Sequence, residues 1–319
     1  MRSVQVFAAS AAAAAVVATT AGCEAKVYGA APASAPVGAP QLTLVPLGNS
    51  LPDAPPKTGP LADAPPAEPR PDAPAGTGLS GLDGRARRAT AAASSAGASI
   101  SSAILDRYTG QLITNGNNKP MPIASVAKLF IADDLLLHQT RLSAQDQQQL
   151  NIMLRSSDDT AANAFWQRGG GNDIITRVAA RYGLSSTTVP YDGNWWNTLS
   201  TPTDLVHYYQ QLLGGGGGLP SEAANVILSN LAESTPNGDD GYPQRFGIPD
   251  GLPGETVAVK QGWMDGWNGD DCVHISTGVI GADRRYVMAI GSLQPGDDAT
   301  ARSTITQAVR TMFPDGQIS

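Results

Sequence analysis

The chain has 319 residues, of which 41% are hydrophobic, and this is enough to build a substantial folded core. Its formal net charge of -7 excludes the broad basic surface with which nucleic-acid-binding proteins neutralise phosphates. The sequence contains no HExxH motif and no paired cysteines, so we predict neither a metal site nor a cofactor.

The N-terminus has the pattern of an export signal, in which Arg2 precedes the alanine-rich apolar run "VQVFAASAAAAAVVATTAG". The run is too rich in alanine and too weakly flanked to be a membrane-spanning helix. It ends in "TTAGC" at residues 19–23, which resembles the lipobox of bacterial lipoproteins, here of an alanine-rich actinobacterial type. Thr20 departs from the usual Leu or Val of that motif. We predict a signal peptide over residues 1–22, and the alternative is an ordinary secretory signal in which Cys23 is incidental.

The lipobox resemblance implies that Cys23 carries lipid, such as palmitate, which would hold the protein on the extracytoplasmic face of the cell membrane. Residues 23–92 are rich in Pro and Ala and cannot bury enough apolar surface to fold. They are predicted to be a disordered spacer between the lipid and a folded domain at residues 93–319. The basic cluster "GRARR" at residues 84–88 is assigned to this linker rather than to a processing site.

The folded part is predicted to begin with a hairpin around Thr109-Gly110, followed by a helix from Ser125 to His138. Further helices are predicted at residues 144–155, 159–167, 173–182, 202–213 and 221–231. Strands follow at 255–263, 272–280 and 285–293, and a last helix at 298–312. This order predicts an α+β fold with one largely antiparallel sheet, a helical subdomain beside it and a terminal helix from each end on one face. Cys272 lies in an alternating strand pattern, which predicts a buried, inert thiol.

The stretch "PIASVAKLF" at residues 122–130 places Ser125 and Lys128 on the same face of a first helical turn. Lysine is scarce in the folded part, and Lys128 lies among apolar residues where a charged amine is costly unless it has partners or a lowered pKa. Such a lysine can act as the base for a serine nucleophile. The alternative is a hydroxyl cap beside a lysine at the edge of the core.

Two later stretches contain residues of the same chemical types. "SSDDTAAN" at residues 156–163 begins a helix, where Asp158 or Asp159 would serve as a structural N-cap. "VAVKQGW" at residues 257–263 is an apolar strand with Lys260 on it, and such a lysine usually protects a solvated sheet edge. Each stretch alone is therefore compatible with a purely structural role.

In this order, however, the three stretches resemble the motifs of the penicillin-recognising serine hydrolases, the superfamily of class A β-lactamases and D,D-peptidases. The likeness extends from Ile100 to Phe313, where five quoted segments occupy the places of successive family elements: "MPIASVAKLFIADDLLL", "SDDTAANAFW", "GGGNDIITRVAARYGL", "STPTDLVHYYQQLL" and "GLPGETVAVKQGW". The resemblance implies a class A β-lactamase-like fold, an α-β-α sandwich with an all-helical subdomain.

The resemblance also implies a role for each matching residue. Ser125 would be the nucleophile and Lys128 its activating partner. Ser157 would relay a proton to the leaving group, and Lys260 would lie near Ser157 and the substrate carboxylate. The backbone N–H groups of Ser125 and Trp263 would form the oxyanion hole.

The chain departs from the family pattern at several substrate-binding positions. Asp159 replaces an Asn, and an ionised carboxylate cannot donate a hydrogen bond to a substrate carbonyl. Gln261 stands where a hydroxyl residue is usual, between Lys260 and Gly262. The loop at residues 188–201 contains no Glu, the residue with which class A β-lactamases position the deacylating water. Asp192 is the one carboxylate in that loop, and Trp195 and Trp196 there either refill the cleft wall or pack the loop.

Two functions agree with these features. The first is an exported, membrane-anchored serine acyl hydrolase or transferase that acts on a cell-wall-related peptide or ester and is not an efficient β-lactamase. Retention of Ser125, Lys128, Ser157 and Lys260 favours it. The second is a catalytically degenerate, β-lactamase-like protein that binds a ligand or partner at the cell envelope, which the altered substrate-binding positions favour.

Overall fold

The computed structural model describes residues 79–318. The predicted signal peptide, Cys23 and the spacer before residue 79 lie outside the described residues. The elements are α1 Leu82–Ser95, β1 Ser99–Asp106, β2 Leu112–Thr114, β3 Met121–Pro122, α2 Lys128–His138, α3 Ala144–Arg155, α4 Asp159–Arg168, α5 Asn172–Tyr182, β4 Leu199–Ser200, α6 Pro202–Gly214, α7 Ser221–Ala232, α8 Ile248–Gly251, β5 Val257–Trp267, β6 Asp271–Ile280, β7 Tyr286–Pro295 and α9 Asp298–Met312, with 3-10 helices at Ala124–Ala127, Trp195–Asn197 and Gly216–Gly218.

A five-stranded antiparallel sheet has the strand order β2-β1-β7-β6-β5. This confirms the α+β fold and the predicted antiparallel sheet. The hairpin around Thr109-Gly110 forms β1 and β2, and β1 pairs with β7, so strands from distant parts of the chain meet in one sheet. β5 lies at the edge, where the 3-10 helix Ala124–Ala127 packs against it.

One face of the sheet is covered by α1 and α9, which confirms the expected terminal helices but corrects the domain boundary. α1 begins at Leu82, which is fully buried, so the folded domain starts before the predicted residue 93 and "GRARR" lies within a helix. The buried face of α1 consists otherwise of Ala86, Ala89 and Ala93. The alanine-rich sequence of α1 resembles that of the preceding linker, and its alanine face becomes part of the core because it packs against α9 and β1.

The opposite face packs against the helical subdomain, whose centre is α2. The residues from Lys128 to Leu136 in α2 are all buried, so this helix is enclosed by neighbours rather than amphipathic. Its acidic residues are paired: Arg177 makes a bidentate ion pair with Asp134, at 2.9 and 2.7 Å. Arg181 forms an ion pair with Asp133, and this contact also links α5 to α2. These contacts fix the helix that carries Lys128.

Cys272 lies on β6 and is buried, as predicted. Burial raises the pKa of its thiol to about 12, so the thiol stays protonated at neutral pH. Within residues 79–318, none of the helices combines the length and the apolar character needed to cross a bilayer.

Candidate active site

Ser125 lies on the short 3-10 helix that precedes α2, one residue after a strained position. Ala124 has a φ of 44°, in the left-handed region that non-glycine residues rarely adopt. The hydroxyl of Ser125 accepts a hydrogen bond from Lys128 Nζ at 2.8 Å. Backbone strain beside a buried serine and lysine is typical of functional sites.

Lys128 has no exposed surface, and its ammonium group contacts three residues. Its Nζ donates to Ser125 Oγ, to the carbonyl and hydroxyl of Ser157 at 2.6 and 3.2 Å, and to Asp159 Oδ1 at 2.6 Å. Burial lowers the pKa of Lys128, and the negative charge of Asp159 opposes this effect. Burial therefore favours the neutral, basic form of Lys128, whereas Asp159 favours its protonated form.

Ser157 links the two buried lysines. It has a φ of 62°, and the residue after it caps α4, because Asp158 Oδ1 accepts from Ala161 N. This turn aims Ser157 Oγ at Lys128 and at Lys260 Nζ, which is 2.8 Å away. The family resemblance implies a proton relay by Ser157, and its position between two amines is compatible with that role.

Lys260 extends from β5 into the core and is 1% exposed. Its Nζ donates to Ser157 Oγ and to the carbonyl of Gln261 at 3.0 Å. Burial lowers the pKa of Lys260 well below its usual range, and the nearby charge of Lys128 adds to this effect. Because Lys128 has a carboxylate in direct contact and Lys260 does not, Lys260 is the amine more easily held neutral.

Gly262 allows β5 to approach the segment that carries Ser125. A Cβ on this residue would lie 2.6 Å from the Ile123 carbonyl oxygen and 3.2 Å from Ser125 N. The backbone of β5 therefore runs directly beside the Ser125 amide, and Trp263 follows next in the chain. This closeness is compatible with the predicted oxyanion pair, the N–H groups of Ser125 and Trp263.

The four predicted catalytic residues lie at or beneath one open cleft of about 240 Å³. Its walls are Ala124, Ser125, Ser157, Asp159, Trp195, Trp196, Asp239, Asp240, Trp263 and Met264. Trp195 and Trp196 thus do line the cleft. The ring of Trp195 lies 4.6 Å from Lys128 Nζ, and its Nε1 donates to Asn163.

One position differs from its expected role. Gln261 was predicted to bind substrate, but it is 2% exposed, does not line the cleft, and donates through Nε2 to the carbonyl of Phe246. Neighbouring residues of a strand point to opposite faces, so Gln261 turns away when Lys260 faces Ser157. Asp192, the one carboxylate of the loop at residues 188–201, lies outside the cleft walls, and its carboxylate accepts hydrogen bonds from Asn194 and Asn197.

Asp239 and Asp240 were not identified from the sequence. They lie on the loop after α7, with no motif or periodicity near them, and only the folded chain brings this loop beside Ser157. The Asp239 amide donates to the Ser156 carbonyl at 2.7 Å, and Asp240 Oδ2 accepts from Trp263 Nε1 at 3.2 Å. The pKa of Asp239 is raised by burial and then by the negative charge of Asp158.

One group of side chains outside the cleft has the spacing of metal ligands. Ligand atoms of Asp265, Cys272 and Asp298 lie within 4.8 Å of one another. A metal-bound cysteine must lose its proton, which burial opposes here, so the donor chemistry does not favour a metal. The absence of a metal stays a prediction.

Residues 136–313 match the sequence profile described as the Beta-lactamase enzyme family, and this match covers more than half of the chain. The chain belongs to that family. Proteins named "Putative lipoprotein LppW" from Mycobacterium tuberculosis and Mycobacterium bovis are 58% identical to it over 245 residues, which cover 76% of this chain and 78% of theirs. The resemblance to penicillin-recognising serine hydrolases is thereby confirmed at the level of family.

Solved structures of β-lactamase family proteins share its fold. A class A beta-lactamase from Mycobacterium abscessus is 20% identical, with a TM-score of 0.59 over 72% of this chain and 98% of the other. A protein described as PBP-A is 18% identical, with a TM-score of 0.60 over 74% and 96%. These likenesses confirm the class A β-lactamase-like fold.

Proposed function

We propose that this β-lactamase family protein is a serine acyl hydrolase or transferase that acts on a cell-wall-related peptide or ester. The observation that carries this proposal is the continuous hydrogen-bonded chain from Ser125 through Lys128 and Ser157 to Lys260 at the floor of an open cleft. A serine hydroxyl needs an adjacent base to become a nucleophile, and a buried lysine with a lowered pKa supplies one.

The reaction follows from these contacts. Unprotonated Lys128 takes the hydroxyl proton of Ser125, whose Oγ bonds to the acyl carbon. The backbone N–H groups of Ser125 and Trp263 donate to the developing oxyanion. As the bond between the leaving group and the acyl carbon breaks, Ser157 passes a proton from the lysines to the leaving group. Water or an acceptor amine then attacks the acyl-enzyme, which completes hydrolysis or transfer.

Efficient β-lactam hydrolysis is not part of the proposal. The walls of the cleft, as far as the described residues form them, contain no glutamate that could activate a deacylating water. Asp159 presents acceptor oxygens where the family pattern has an amide donor. We therefore expect any β-lactam that reacts with Ser125 to leave it slowly.

A labelling experiment tests the catalytic assignment. A fluorescent fluorophosphonate and a fluorescent penicillin are incubated with the protein, with Ser125→Ala and with the control Ser156→Ala. Ser156 lies next to Ser157, but its hydroxyl donates to the Ile152 carbonyl at 2.9 Å rather than to the site. We expect at least one probe to label the wild type and Ser156→Ala but not Ser125→Ala. Absence of labelling from the wild type would contradict the assignment.

The proposal places the enzyme on the outer face of the cell membrane, attached through lipidated Cys23. Support comes from the "TTAGC" motif and from relatives that are named as lipoproteins. Metabolic labelling with a palmitate analogue in a mycobacterial host tests this placement. We expect the wild type to be labelled and to sediment with membranes, and Cys23→Ser to lose both properties; equal labelling of the two would contradict it.

The second candidate function is a non-catalytic receptor that keeps the cleft for a ligand. The ion pair between Lys128 and Asp159 favours this candidate, because a protonated lysine cannot take the serine proton. A receptor would be stabilised by its ligand equally well in Ser125→Ala, and the Ser125→Ala cells would keep the wild-type phenotype. Loss of the cellular phenotype in that variant would exclude it.

A further inference from the structure

The charge of the cleft is opposite to what an anionic substrate requires. Asp159, Asp239 and Asp240 all line it, and among the residues that the structure describes as its walls there is no Lys or Arg. The two lysines of the site lie beneath the surface, at 0% and 1% exposure, and they already donate to Ser157 and other groups. An entering ligand therefore meets carboxylates first.

The aromatic walls have the same preference. Trp195, Trp196 and Trp263 border the cleft, and the faces of tryptophan rings attract cations, although Trp195 is 2% exposed and one face of Trp263 is stacked on the ring of Tyr242. The Trp195 ring already has the ammonium group of Lys128 at 4.6 Å from its centre. A cation that enters the cleft would therefore meet carboxylates beside aromatic walls.

Asp159 joins this surface to the reacting atoms. Its side chain is 69% exposed, whereas Lys128, its partner at 2.6 Å, is fully buried. It is thus the one carboxylate of the described site that both contacts the base and can be reached by a ligand. Whatever binds Asp159 changes the electrostatic environment of Lys128.

We propose that the acyl substrate of this site carries a cationic group, such as a primary amine, and that Asp159 binds this cation. The inference rests on the proposed function. When the ligand's cation becomes the partner of Asp159, Lys128 loses its counterion and releases one proton to solvent. The ligand brings one positive charge and the released proton removes one, so the charge of the site is unchanged. Neutral Lys128 can then take the proton of Ser125.

A matched pair of activated esters tests the inference. Nα-benzyloxycarbonyl-lysine p-nitrophenyl ester is cationic, and the norleucine ester has nearly the same shape without the ammonium group. We expect the lysine ester to acylate Ser125 at least about 10-fold faster, the value for one solvent-accessible charge-assisted hydrogen bond. We expect Asp159→Asn to remove most of this preference, and 1 M NaCl to reduce it in the wild type.

The control is Asp315→Asn, which removes the same charge from an exposed residue outside the cleft and should keep the preference. Equal acylation by the two esters would overturn the inference and leave the proposed function standing. A binding assay tests the cation site independently of catalysis. Tryptophan fluorescence is used to measure the binding of the unreactive lysine and norleucine methylamides to Ser125→Ala. Preferential lysine binding there, without acylation of the wild type, would support the cation site and overturn the proposed catalysis. Equal binding of the two amides would overturn the cation site.

Discussion

Replacing Gly262 by alanine tests how tightly β5 approaches the nucleophile. The new Cβ would lie 2.6 Å from the Ile123 carbonyl oxygen, whereas ordinary van der Waals contact begins at 3.4 Å. The nearest atom belongs to the backbone, so no change of side-chain rotamer can relieve the contact. β5 and the 3-10 helix that carries Ser125 must move apart by roughly 0.8 Å.

The expected cost follows from this overlap. Overpacking of a tight interface lowers the free energy of unfolding by about 1–3 kcal/mol. For a domain of this size, each kcal/mol lowers Tm by about 2–4 °C, so we expect Tm to fall by about 4–8 °C for a loss near 2 kcal/mol. The same movement separates the backbone amides of Ser125 and Trp263. Loss of one oxyanion donor slows acylation by about 100-fold or more, and partial displacement should slow it by at least about 10-fold.

Circular dichroism melting and the rate of fluorophosphonate labelling measure the two effects. Gly214→Ala is the matched control, because Gly214 ends α6, has no positive φ, and its Cβ would meet no atom within 4 Å. We expect that control to keep both Tm and labelling rate. A Gly262→Ala protein indistinguishable from Gly214→Ala would refute the close approach. A lowered Tm with an unchanged labelling rate would refute the oxyanion assignment alone.

Three further predictions concern α1, the base and a buried histidine. Gly84→Ala in α1 should stabilise the domain by up to about 1 kcal/mol in urea unfolding, since alanine favours helix and the nearest side chain is 3.6 Å away. Asp159→Asn removes the charge that raises the pKa of Lys128, so the pH profile of Ser125 labelling should move to lower pH. Burial lowers the pKa of His274 from 6.5 to about 4. Below pH 6.5 the histidine is protonated in the unfolded chain but not in the folded chain. The free energy of unfolding should therefore fall by about 3 kcal/mol as the pH drops to 4, and it should fall less in His274→Gln.

Each of these predictions has a contrary outcome. No change in Gly84→Ala would indicate that residues 82–95 belong to a linker rather than to the folded domain. If the pH profile of labelling stays in place or moves to higher pH in Asp159→Asn, the carboxylate of Asp159 does not raise the pKa of the base. Urea unfolding at pH 7, 5.5 and 4 that is equally pH-dependent with and without His274 would assign the acid sensitivity to other groups.

The sequence was sufficient for most of the longer helices and strands and for the candidate site residues that have a local pattern. The helix bounds at residues 144–155 and 298–312 agree with the structure, and polar N-caps, Ser143 and Asp297, mark the start of both helices. Ser125, Lys128, Ser157 and Lys260 were predicted from three short motifs, and they do meet at one cleft. An N-terminal helix was expected, but its position at residues 82–95 was missed, because its buried face is mostly alanine and the burial of alanine depends on what packs against it.

The sequence by itself predicted the family, most of the helices and strands, and Ser125 and Lys128 as a candidate nucleophile and its partner, since these predictions depend on local patterns of residue type. The tertiary structure alone decided how the site is charged. It turned Gln261 away from the cleft, placed the Asp159 carboxylate in contact with Lys128, and brought Asp239 and Asp240 to the cleft from a distant loop. Electrostatic effects depend on distance and burial in space, so residues far apart in the chain determine whether Lys128 can act as a base.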